Sequence, residues 1–266
     1  MPATNHATLL VIISDAEEFQ CLKSLSTRMA KTFGYQTLLK TIRDQDAALA
    51  RSLSSQKSDT IHASPHALTP TIQKCMDNGR QDIQLVVFSD KHLRLTRKRK
   101  ATQTLSGLRK LKIPYLIIPE STTASWQPRN IYIPLCLREG EKEASAWAGF
   151  WTRYHQSQLT LIYPVFKNPD QQRRLWMMLL FAERLLKRSN LPYQTWERGR
   201  QPKEILAHLN ALAFSNDHNL IIFPATRFYS PEYYFTGPPE FHLLKNRGKT
   251  PVLFINPRND LYIPCG

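Results

Sequence analysis

Two stretches of this chain repeat one order of elements, and that repetition limits the folds open to it. The apolar run Leu220-Ile221-Ile222-Phe223 leads through an aromatic, Pro-containing loop, Ala225 to Thr236, and a short helix candidate, Pro238 to Asn246. It ends in a second apolar run, Pro251-Val252-Leu253-Phe254-Ile255. Earlier, Leu85-Val86-Val87-Phe88 leads through a basic loop and helix, Lys91 to Lys112, into Ile113-Pro114-Tyr115-Leu116-Ile117-Ile118. Strand, loop, helix, strand over about 30 residues is one crossover unit of a parallel sheet. Two copies predict a tandem duplication, with an open α/β sheet in each half and right-handed crossovers.

A chain of 266 residues accommodates two such domains. The stretch Glu120 to Pro128, with Ser, Thr and Pro, reads as the linker, giving domains 1–124 and 125–266. No run of 18 apolar residues occurs, so no membrane span is expected. The first residues lack the basic-then-apolar order of a secretory signal, and the four cysteines are scattered, which together predict a cytoplasmic protein with reduced thiols. The net charge is +15, shared as about +8 and +7 between the halves. A basic chain of this kind favours polyanions or anionic small molecules as partners.

Along the first half, Thr8 to Ile13 reads as a strand buried on both faces. Ser14 or Asp15 suits a helix N-cap, Phe19, Leu22, Leu25 and Met29 recur at helical spacing, and Gly34 suits the stop. Tyr35 to Ile42 is a second strand candidate, and a helix is expected over Pro70 to Met76. Between them, Ala47 to Leu53 reads as a short helix and Ser54 to Asp59 as a loop. In the second half, strands are expected over Asn130 to Leu135, Gln158 to Tyr163 and Leu191 to Trp196. Helices are expected over Glu139 to His155, Asp170 to Arg188 and Pro202 to Phe214. The strand count is five per half.

This order and spacing resemble the universal stress protein family in tandem form. Asn130-Ile131-Tyr132-Ile133-Pro134-Leu135 resembles that family's first strand, and Glu143 to Tyr154, with Ala144, Ala146, Trp147 and Ala148, its Ala-rich first helix. Leu159 to Tyr163, Leu220 to Phe223 and Pro251 to Ile255 resemble the second, fourth and fifth strands. Leu9 to Ile13, Leu85 to Phe88 and Ile113 to Ile118 carry the match in the first half. The resemblance implies a Rossmann-like fold of the kind shared with adenine nucleotide alpha hydrolases, two open five-stranded parallel domains packed as a pseudo-dimer. It implies pairing through the fifth strands, Ile113–Ile118 and Val252–Ile255, with a homodimer of the whole chain as a further expectation.

Many members of that family bind ATP through a glycine-rich signature after the fourth strand, whose glycines let backbone amides approach phosphates. Here the signature fails. Its first position falls on Ala225, its second on Phe228 and its third on Pro238, with Gly237 one residue off. The acidic position after the first strand falls on Cys136. In the first half, Ser89 to Thr104 contains no glycine, though Asp15 follows the first strand one position out of register. No bound cofactor is therefore expected, with ATP or another nucleotide as the alternative. The sheet-end crevices would be lined by Asp15, Ser89, Lys91 and Arg97 in the first half, and by Cys136, Ala225, Arg227 and Gly237 in the second.

Three further features bear on function. Lys91 to Lys112 holds nine Lys and Arg and no acid. It reads either as a solvated basic face or as a site for anions or nucleic acid, and it lacks aromatic residues for base stacking. Five of the nine residues from Arg227 to Phe235 are aromatic, which suits either a self-packed loop or a ring-lined pocket or protein-partner surface in place of the nucleotide loop. Trp147, Trp151 and Trp176 recur with apolar neighbours and read as core or dimer surface. His62 and His66 are four apart without a third metal ligand. No nucleophile–base arrangement or GxSxG is present. The expectation is a non-enzymatic binding or regulatory protein.

Overall fold

The structure, a computed structural model, describes residues 7–41, 68–78, 82–226 and 232–257. The chain divides into two compact units, Met1–Trp126 and Gln127–Gly266, whereas the sequence placed the division at 124/125.

In the first unit four parallel strands, β1 (Ala7–Ile13), β2 (Gln36–Thr41), β3 (Asp82–Ser89) and β4 (Tyr115–Ile118), lie in the order β2-β1-β3-β4. Leu9 to Ile13 of the central β1 are fully buried, which is why the run carries no polar alternation. Helix α1 (Ala16–Phe33) starts where Asp15 accepts the Glu18 amide at 3.0 Å, and stops at Gly34, whose φ of 72° is left-handed. Phe19, Leu22, Leu25 and Met29 form its buried stripe. Helix α2 spans Leu68–Asp77, a 3₁₀ turn Asp90–Leu93, and α3 Lys98–Leu108. Gly107 lets α3 approach α2, since a Cβ there would stand 2.6 Å from Thr69 Oγ1. Five strands were expected here, and four are present among the described residues. The expected helix Ala47–Leu53, the loop Ser54–Asp59 and the pair His62 and His66 lie outside them.

In the second unit β5 (Asn130–Pro134), β6 (Gln158–Tyr163), β7 (Tyr193–Glu197), β8 (Asn219–Pro224) and β9 (Val252–Ile255) form a parallel sheet in the order β9-β8-β5-β6-β7. Helices α4 (Glu141–His155) and α5 (Pro169–Arg188) pack on each other, as do α6 (Pro202–Ala213) and α8 (Pro239–Asn246). Asn168 caps α5: its side chain accepts the amides of Asp170 at 2.9 Å and Gln171 at 3.2 Å. The stretch read as a loop to Thr236 contains a five-residue helix, α7 (Glu232–Thr236). The tryptophans part ways. Trp151 is fully buried and stacked on His155, whereas Trp176 is 48% exposed on the outer face of α5.

Both units therefore place their first strand beside the strand that opens the late crossover unit: β1 beside β3, and β5 beside β8. Chain order reverses there, so each sheet has a topological switch point with a crevice at its C-terminal edge. No helix among the described residues is long and apolar enough to cross a membrane.

Candidate functional site

In the second unit the chain leaves β5 through Leu135, Cys136, Leu137 and Arg138 before α4 begins. Leu137 takes a left-handed φ of 64°, and Gly140 one of 84°. A left-handed residue in such a turn curls successive backbone amides into an anion-binding concavity. This one is filled from within. Oε1 of Glu141 accepts the amides of Cys136 and, at 2.9 Å, Arg138, and the Leu137 amide also stabilises the same carboxyl. Glu141 is 3% exposed. Burial pushes its carboxyl up to about 7, against the lowering effect of the three amides and of the Arg138 charge.

Across the crevice, β8 ends at Pro224-Ala225-Thr226. The Thr226 amide donates to Oε1 of Glu240, in the first turn of α8. Arg138 spans the gap. Its Nε donates to the Pro224 carbonyl at 3.2 Å, and one terminal nitrogen donates to Thr226 Oγ1 at 2.7 Å and Glu240 Oε1 at 3.3 Å. Its guanidinium carbon lies 4.6 Å from the centre of the Phe223 ring, in cation–π range. The switch point of this unit is thus spanned by its own Arg138 and its end amides are taken by its own Glu141 and Glu240.

The positions named from sequence fall around this network. Cys136 is buried, which pushes its thiol up, and only its backbone amide takes part. Ala225 is buried at the end of β8. Gly237 has a φ of 87°, a conformation that favours glycine, and its amide caps α7 by donating to the Tyr233 carbonyl. Arg227 lies outside the described residues. The sequence reading missed Arg138, Glu141 and Glu240. Their signal was present but weak: an acid one residue past Gly140 and another three residues past Gly237, where helices open.

Glu141 makes stability depend on pH. Its carboxyl ionises at about 7 in the fold and near 4.5 unfolded, so the native state holds the extra proton in that window. The associated stability is complete below about pH 4.5, falls as pH rises and is lost above about pH 7. Over that window the loss is on the order of 3 kcal/mol. Urea unfolding at pH 5 and pH 8 checks it, and Glu141→Gln is expected to flatten the difference.

Beside the crevice, between β5, α6 and α8, lies a cavity of about 270 Å³. Its walls are largely apolar, with Pro134, Phe223, Ile205, Leu206 and Leu209 among them, and Tyr233, Thr236 and Gly237 close one side.

The first unit closes its crevice in a related way. Glu18 Oε2 accepts both the amide and the hydroxyl of Ser14, at 2.7 and 2.6 Å, and Lys91 is paired with Asp15. His92 Nε2 lies 3.4 Å from Ser14 Oγ and 3.8 Å from Glu18 Oε1. Serine and acid both meet the same ring nitrogen. Asp15, Lys91 and Ser89 are brought to the adjoining ends of β1 and β3, and the Ser89 hydroxyl is buried without a hydrogen-bond partner among the described residues. Arg97 is not drawn in. It stands exposed as the N-cap of α3. Among the described residues no group of three or more His, Cys, Asp or Glu is placed to hold a metal ion.

The strand order and the position of the crevices now decide the fold. Superposition on a universal stress protein from Archaeoglobus fulgidus DSM 4304 gives a TM-score of 0.57 at 12% identity, over 94% of this chain and 97% of the other. A putative universal stress protein from Pseudomonas aeruginosa UCBPP-PA14 gives 0.63 at 14% identity, over 95% and 94%. A functionally unknown protein from Pseudomonas aeruginosa PAO1 gives 0.61 at 15%, over 95% and 93%. The fold is that of the universal stress proteins. No protein-family model and no curated protein matches the chain. The crevices described above sit at the C-terminal edge of the strands, where open α/β sheets in general take ligands.

Proposed function

We propose that this chain is a non-catalytic binding and regulatory protein of the universal-stress type, acting in stress response without a conventional ATP site. The observation that carries this reading is the Glu141–Arg138–Glu240 network. A triphosphate is held by free backbone amides and counter-charges. Here the amides of Cys136, Arg138 and Thr226 already serve carboxyls, and Arg138 is spent on Glu240. Anionic oxygens brought beside two buried acids would meet repulsion as well as a lack of donors. Slow ATP hydrolysis, which needs nucleotide occupancy, falls with it.

The test is a thermal-shift screen with Mg–ATP, AMP and cyclic dinucleotides at low and high salt. Ligands that bind the native state raise Tm with occupancy. The expected result is no rise that survives high salt. A nucleotide-specific rise at high salt would overturn the reading.

A second reading concerns the start of α3. Arg97, Lys98, Arg99 and Lys100 crowd the positive end of that helix, with no acid in the first turn and no side-chain cap. Like charge there is unfavourable unless an anion offsets it. On this reading the protein binds polyphosphate or single-stranded DNA with strong salt dependence. Replacing Arg97 and Arg99, both exposed, by Gln is expected to lower affinity uniformly and to reduce the salt slope by up to about 2. Salt-independent binding, or none, would remove it.

A further inference from the structure

We infer that the cavity between α6 and α8 is a binding site for a small apolar molecule carrying one anionic group, such as an aryl or medium-chain carboxylate. The inference rests on the reading above, since it assigns to the second unit a ligand other than a nucleotide.

Size, wall and rim all point this way. A dry apolar cavity of about 150 Å³ holds a benzene. The space here, about 270 Å³, admits a bicyclic ring or a folded medium-length chain. Pro134, Phe223, Ile205, Leu206 and Leu209 offer such a body no polar partner. An apolar body seated on these walls removes their surface and its own from water.

The charged lining, Arg138 and Lys203, is of one sign. Arg138, Lys203 and His242 face the cavity, and none of its lining residues is acidic. The Arg138 charge is already committed to Glu240. Lys203, exposed in the first turn of α6, makes no hydrogen bond or ion pair with the described residues. It stands where the positive end of α6 adds to its field. One unspent cation over an apolar chamber matches one carboxylate on an apolar body. A triphosphate asks for several cations and free amides, and finds neither here.

The probes are 2-naphthoate and decanoate, with 2-naphthalenemethanol and decanol as uncharged counterparts, titrated calorimetrically into the full chain. Mg–ATP runs in parallel. The carboxylates are expected to bind at one site per chain, at least tenfold more tightly than the alcohols. Lys203→Glu is expected to abolish that preference while leaving the alcohols unchanged, and Leu206→Trp, which fills the cavity from α6, to abolish binding of both. Should Leu206→Trp fail to fold, the Lys203→Glu arm decides alone. Absence of carboxylate binding, or binding indifferent to Lys203, overturns the inference. If ATP is also silent in that case, the reading without nucleotide stands. Saturable ATP binding that the carboxylates compete away overturns both.

Discussion

Replacing Arg138 by Met is expected to destabilise the second unit by about 3 kcal/mol, the low end of what breaking a buried ion pair costs. The physical reason lies with the partner left behind. Glu240 is 4% exposed, and its Oε1 shares the Arg138 charge with the Thr226 amide. Without the guanidinium the largely buried Glu240 carboxylate loses its counter-charge, and the Pro224 carbonyl and Thr226 hydroxyl lose a donor together. The double variant Arg138→Met with Glu240→Gln is expected to recover most of the loss, because a neutral amide tolerates burial that a carboxylate does not. Urea unfolding of the four proteins of this cycle measures the coupling. Additive losses would show that the pair does not hold the crevice.

Trp151→Ala is expected to cost about 3–5 kcal/mol, the range for removing a buried aromatic. The indole is fully buried in α4 and stacked on His155 with ring centres 5.1 Å apart, so truncation opens a cavity beneath the helix that carries Glu141. Trp176→Ala, on the outer face of α5, is expected to cost less than about 1 kcal/mol. Denaturant midpoints of the two variants check the contrast. Equal losses would contradict the burial assigned to them.

These two tryptophans mark how far sequence patterning reaches. Helical spacing put both on apolar stripes, and it placed α1, α4, α5 and α6 within a few residues of their ends. It could not separate an inward stripe from an outward one on α5. There Leu175, Leu179, Ala182 and Leu186 are buried while Trp176, Met177 and Leu180 are exposed, and both sets recur at helical intervals. The strands were legible because central parallel strands such as Leu9–Ile13 are apolar without alternation. The repeated crossover unit gave the parallel α/β class, and the order of the strands within each sheet came only with the structure.

The site was half legible. Ala225 and Cys136, where the family resembled carries a glycine and an acid, gave the expectation of an altered phosphate site. What replaced it was not readable, because the replacement is long-range. Arg138 meets Thr226 and Glu240 across intervals of 88 and 102 residues. No local pattern predicts which charged side chain will turn inward at the sheet end. The aromatic stretch after Thr226 suggested a ring-lined pocket. The cavity found there takes Tyr233, Thr236 and Gly237 on one wall, and the rest of its lining comes from the ends of β5 and β8, from α6 and from the start of α8.

Amide hydrogen exchange at Cys136, Arg138 and Thr226 tests the central claim most directly. Those amides are predicted to be protected in the ligand-free protein, because carboxyls of the same chain hold them, and to be unchanged by saturating Mg–ATP. Fast exchange without ligand, with protection gained only on adding Mg–ATP, would mean that the crevice is an open nucleotide site and would contradict the account.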